Sequence, residues 1–257
     1  MAGNPLPTAA ATLTALHARS DDEWAAATVA LPRELAAIRS LLHPASFSPE
    51  RCRLWADALL QLWRERVVPA DFAFFAQEVS DRISAYADDG CRSLLACAAV
   101  EAGVLEQLAS DLSSAWDTPR EWYAMLAGVQ RYIRPFRIVP PELRGPHAVD
   151  LVVRLMHVIK FFPASDAAYS PYLPGLVRSL RFLCVRSEAL KVVIYRQGVV
   201  QVAHSLISSE NRQVSKEGLR LMTLFTCNEL ILAVQRNFVE HLMHSWPAVG
   251  EPAWVAG

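Results

Sequence analysis

The stretch Ser187-Glu188-Ala189-Leu190-Lys191-Val192-Val193-Ile194-Tyr195-Arg196-Gln197-Gly198-Val199-Val200 continues through Gln201 to Ser209. It then runs into Asn211-Arg212-Gln213-Val214 and Leu219-Arg220-Leu221-Met222-Thr223-Leu224-Phe225. From Ser187 to Trp246 the spacing predicts three helices: short, medium and long. Gly198 forms a hinge between the first two, and the polar turn Ser208-Ser209-Glu210-Asn211 separates the second from the third. None of the three can bury its apolar face alone, so the stretch requires neighbours of its own kind, with Val199, Val202, Leu206, Leu219, Leu221, Met222, Leu224 and Phe225 expected in its core.

Those neighbours are visible as internal similarity. Val100-Glu101-Ala102-Gly103-Val104-Leu105-Glu106-Gln107-Leu108-Ala109-Ser110 aligns with Tyr195-Arg196-Gln197-Gly198-Val199-Val200-Gln201-Val202-Ala203-His204-Ser205. Ala233 to Val239 aligns with Ile194 to Val200, with Asn237 in the place of Gly198. Gly and Asn are the residues that tolerate a left-handed hinge. Gly145, ahead of the apolar run Val149-Leu151-Val152-Leu155-Met156, marks a degenerate copy, so the steps are 42, 53 and 39 residues. Helical repeats of roughly 40–47 residues, with two or three helices per unit, are the signature of HEAT and armadillo arrays.

The segment Gly198-Val199-Val200, an apolar helix ending in Ser208-Ser209, then Asn211 and Val214 and a Leu-rich helix, resembles an armadillo repeat. The resemblance covers Ser187–Trp246 best, Cys91–Ile133 less well and Asp150–Val185 least. It implies an all-α, right-handed solenoid whose superhelical surface binds partners. It does not extend to the Asn ladder of importin-type groove binders, because Asn211 and Asn228 fall only at the ends of a predicted third helix.

Local signals divide the rest of the chain. Ser20 with Asp21, Asp22 and Glu23 marks a helix start. Pro32 starts a helix through Leu35, Ile38, Leu41 and Leu42. Ser48-Pro49-Glu50 is an N-cap followed by Pro at the first helical position, and it opens a helix expected to bury Leu54, Trp55, Ala58, Leu59, Leu62 and Trp63. Pro69 opens a helix through Phe72, Phe75, Val79 and Ile83, and Gly90 reads as a C-terminal cap. Pro135, Pro140, Pro141 and Pro146 read as an irregular connection. The domain reading is an N-terminal helical cap over 1–46, armadillo-like repeats over 47–246 and a loose tail over 247–257.

Composition excludes several classes. The chain is 53% apolar and 20% charged, which argues against disorder. No window reaches the ~18 uncharged apolar residues that a membrane span requires. The five cysteines, Cys52, Cys91, Cys97, Cys184 and Cys227, form no C-x-x-C pair and read as free thiols in a reducing, cytoplasmic compartment. There is no G-x-G-x-x-G, G-K-[ST] or G-x-S-x-G motif. His241 and His244 share a helix face but lack the further ligands of a zinc site. The pairs Trp55 with Trp63 and Phe161 with Phe162 read as core. We therefore expect no catalytic residues, no metal and no cofactor.

Charge is distributed unevenly. Residues 1–117 carry 9 Lys/Arg and 16 Asp/Glu, whereas residues 118–220 carry 15 and 7. Arg131 and Arg134, Arg178 and Arg181, and Lys216 and Arg220 sit three or four apart on predicted third helices, a spacing that shares one face. Stacked in register, they would line a groove with positive charge. The expected function is a non-catalytic protein-protein interaction scaffold that binds an acidic or phosphorylated partner segment at these six residues. The alternative is nucleic-acid binding by the basic stripe of 118–220. A near-neutral chain and the lack of interleaved exposed aromatics weigh against it.

Overall fold

The first long helix begins where a polar cap and a proline meet. In the computed structural model of the chain, the Ser48 hydroxyl accepts from the Arg51 N–H at 3.3 Å, and Pro49 occupies the first turn of α1 (Pro49–Arg64). The structure describes residues 31, 33–43, 47–65, 72–114, 119–161 and 169–226. Among these, every regular element is helical. After α1 come α2 (Phe72–Ser84), α3 (Asp89–Ala102), α4 (Val104–Ser114), α5 (Pro119–Ile133) and a 3-10 helix (Arg134–Ile138). α6 (Pro141–His147), α7 (Val149–Phe161), α8 (Leu173–Cys184), α9 (Glu188–Arg196), α10 (Val199–Ile207) and α11 (Arg212–Thr226) complete them. Helices 33–40 and α1 belong to one hydrophobic core with all the rest.

Glycine makes the sharp corners. Gly103 between α3 and α4 has φ 103°, and Gly198 between α9 and α10 has φ 79°. This left-handed region favours glycine, because a Cβ would crowd the following carbonyl. The equivalent Asn237 lies outside the described residues. Gly145 is different: it sits inside α6, with no positive φ. The proline-rich connection is likewise helical, because Pro135 and Pro141 fall in first turns, where no N–H is needed. Gly90 does not end a helix. Asp88 caps the next one instead, its carboxylate accepting from the Cys91 N–H at 2.7 Å.

Packing sorts the helices into two sets. α2, α5, α8 and α11 form a row in which each packs against the next. The others lie beside it: α1 on α3, α4 on α7, α3 on α6, and both α9 and α10 on α7. Trp55 and Trp63 are fully buried, and the Trp63 ring stacks on Phe75 at 5.9 Å. The Trp63 indole N–H donates to the buried Asp111 at 2.6 Å, which Gln107 also donates to at 2.8 Å. Phe161 and Leu54, expected in the core, are not part of it: Phe161 is 58% exposed at the end of α7, and Leu54 of α1 is 40% exposed. Cys52 and Cys184 are buried, and burial pushes their thiols up to about 11 and about 12. They stay protonated and behave as small apolar side chains.

α10 and α11 approach so closely that Gly218 has no room for a methyl group. A Cβ there would meet the Leu206 Cβ at 2.8 Å and the Ile207 backbone nitrogen at 2.9 Å. In an open helix Gly→Ala gains about 1 kcal/mol. Here overpacking against backbone, typically about 1–3 kcal/mol, decides the sign. Gly218→Ala is therefore expected to lower the urea midpoint, and a raised midpoint would show that the two helices can part freely.

Candidate functional site

Five arginines from four parts of the chain converge on one open cleft of about 1130 Å³. Arg92 comes from α3 and Arg131 from the last turn of α5. Arg134 and Arg137 come from the 3-10 helix and Arg186 from the α8–α9 turn. Asp81, Asp89, Ser80, Ser84, Ser93, Gln130 and Ile138 also line it. Arg131 pairs with Asp81 at 2.5 Å, and Arg92 pairs with Asp89. Arg134, Arg137 and Arg186 are exposed and make no ion pair among the described residues. Five arginines against two aspartates leave an excess of three positive charges in the cleft.

The backbone that carries these arginines is braced from beneath. Arg144 of α6 is only 3% exposed. Its Nη1 donates to the Phe136 carbonyl and its Nη2 to the Val185 carbonyl, both at 3.1 Å. One guanidinium thus ties the 3-10 helix bearing Arg134 and Arg137 to the turn bearing Arg186. Desolvation lowers the Arg144 pKa, yet a guanidinium remains cationic. Arg186 itself has φ 63°, the one positive φ outside glycine among the described residues. For an L-residue this conformation costs about 1–2 kcal/mol. Such strain persists where surrounding contacts over-determine it, and it clusters at functional sites.

The six arginine and lysine positions expected from sequence divide into two groups. Arg131 and Arg134 lie in the cleft. Arg178 and Arg181 of α8 and Arg220 of α11 turn to one carboxylate, Glu217 of α11, which is only 2% exposed. Glu217 Oε1 accepts from Arg220 at 2.6 Å and from Arg178 at 3.3 Å, and Oε2 accepts from Arg181 at 2.8 Å. Arg178 also donates to Gln130 of the cleft wall at 3.2 Å, so the cluster adjoins the cleft. Lys216, next to Glu217, is exposed. A second buried carboxylate, Glu78 of α2, holds Arg39 through two bonds of 2.8 and 2.6 Å and lies 3.6 Å from Arg82.

Sequence reasoning missed Arg92, Arg137 and Arg186. Arg137 was within reach, because it follows Arg134 at the three-residue spacing that shares a helical face. Nothing local joins Arg92 or Arg186 to them; only the packing of α3 and of the α8–α9 turn against the 3-10 helix does. His241 and His244 lie outside the described residues. No single helix among the described residues is long and apolar enough to cross a membrane.

No protein family matches the sequence, and no curated protein and no solved structure is significantly similar to it.

Proposed function

We propose that the chain is a non-catalytic interaction scaffold, a right-handed armadillo-like array that binds an acidic or phosphorylated segment of a partner protein. The row α2–α5–α8–α11, flanked by shorter helices and turned by left-handed glycines, supports the array. The cleft, with its excess of three positive charges and its open mouth beside that row, carries the binding reading. Its lining offers guanidiniums, hydroxyls and two aspartates already held by arginines, a set suited to oxyanions. Clustered like charge over low-dielectric walls focuses the field and concentrates acidic partners. The free cysteines Cys52, Cys91, Cys97 and Cys184 support a reducing, cytoplasmic compartment.

The binding surface in this reading is Arg131, Arg134, Arg137 and Arg186, while Arg178, Arg181 and Arg220 are tied into the fold by Glu217. A photo-crosslinking residue at the exposed Ser84 of the cleft, used in native extract, tests it. The expected adduct is a protein, lost with Arg134→Glu/Arg137→Glu and reduced by added salt. The exposed double reversal should leave stability within about 0.5 kcal/mol. An adduct indifferent to the reversal, or made of RNA alone, would overturn the reading.

A further inference from the structure

We infer that the cleft takes one phosphorylated side chain of a partner segment together with an apolar side chain beside it. This rests on the cleft being a partner-binding site, and it names what that site recognises.

The charge count distinguishes phosphate from carboxylate. Arg92 and Arg131 already have Asp89 and Asp81. Arg134, Arg137 and Arg186 remain for a ligand. A carboxylate brings one charge and is satisfied by one bidentate arginine, which would leave two guanidiniums unneutralised. A phosphomonoester brings about −1.5 to −2 charges at neutral pH and three acceptor oxygens. Three guanidiniums carried by two walls match that demand. The fold keeps a carboxylate of its own, Glu217, where three arginines meet on α8 and α11, whereas Arg134, Arg137 and Arg186 have none among the described residues.

Arg186 gives a second, independent indication. Its left-handed backbone is one a glycine would adopt without strain. The position nevertheless carries an arginine, and it lines the cleft.

The cleft also carries an exposed apolar residue next to those arginines in the chain: Ile138 follows Arg137, lines the cleft and is 37% exposed. A free phosphate ion or a nucleic-acid backbone would use the arginines and leave Ile138 in water. A peptide with an apolar residue near its phosphate covers it. The volume of about 1130 Å³ exceeds what a drug-sized molecule usually fills and leaves room for several residues.

The test uses short peptide libraries with degenerate flanks around a fixed phosphoserine, a fixed serine or a fixed glutamate, applied to the full chain. The phosphoserine library should be retained, and its enriched members should carry an apolar residue within one or two positions of the phosphate. Inorganic phosphate should compete only weakly. Arg186→Gly is the informative variant, because glycine suits that backbone. It should hold or raise the thermal midpoint while lowering phosphopeptide affinity at least about tenfold. Equal retention of the three libraries, no retention at all, or phosphopeptide binding unchanged by Arg186→Gly would overturn the inference. So would a single-stranded RNA that binds more tightly than the phosphopeptides and depends on the same arginine. A crosslinked protein partner that survives phosphatase treatment would leave the scaffold reading standing and remove this one alone.

Discussion

Reversing Arg178 and Arg181 to glutamate should destabilise the fold by about 3–5 kcal/mol, the range for a buried ion pair that loses its partner. Read from sequence, the same reversal would be a surface change that weakens only binding. The structure changes the expectation through Glu217. Its carboxylate is 2% exposed, and two of its three guanidinium partners come from α8. The double reversal leaves Arg220 as the remaining partner and sets two new negative charges against a carboxylate that cannot reach water. Arg178 and Arg181 are themselves partly exposed, so solvent screens some of this repulsion. Urea denaturation followed by circular dichroism measures the loss. Arg220→Glu alone should cost less, because Arg220 is 46% exposed. Replacing the cluster together, as Arg178→Met, Arg181→Met and Glu217→Leu, should be near neutral, since no unpaired buried charge remains. A double reversal with an unchanged midpoint would mean that Glu217 is solvated and does not join α8 to α11.

The second large effect concerns the face that α11 buries. Leu221→Ala should cost about 2–5 kcal/mol, whereas Leu219→Ala should stay within about 0.5 kcal/mol. Leu221 is completely buried and Leu219 is 52% exposed. The buried positions of α11 are Val214, Glu217, Gly218, Leu221 and Phe225, which recur at three- and four-residue steps. Leu219 lies two positions from both Glu217 and Leu221, on the opposite side. Met222 and Leu224 are partly buried against the core, so Leu224→Ala should fall between the two. Similar losses for Leu219 and Leu221 would show that the helix is rotated from this register.

Some features of this protein followed from the sequence alone, because their physics is local. Ser48-Pro49 predicts a helix start, and the Ser48 hydroxyl caps it within three residues. Gly103 and Gly198 predict hinges, and both hold the left-handed φ that glycine tolerates best. The all-α class followed from the helical spacing of apolar residues in one segment after another, and Trp55 and Trp63 lie where that spacing puts them.

The tertiary structure decided what depended on distant partners. A stripe of leucines on α11 promised that Leu219 was core, yet a charged residue, Glu217, holds the inward face. Burying a carboxylate is unfavourable unless cations come with it, and two of its three arginines arrive from α8, more than thirty residues earlier. The same long-range pairing removed Arg178, Arg181 and Arg220 from the open basic surface. It left Arg134 and Arg137 to meet Arg186, which a buried Arg144 brings to their side across the chain. Spacing along one helix specifies which residues share a face. Which faces meet, and which charges are left over when they do, is fixed only when the helices pack.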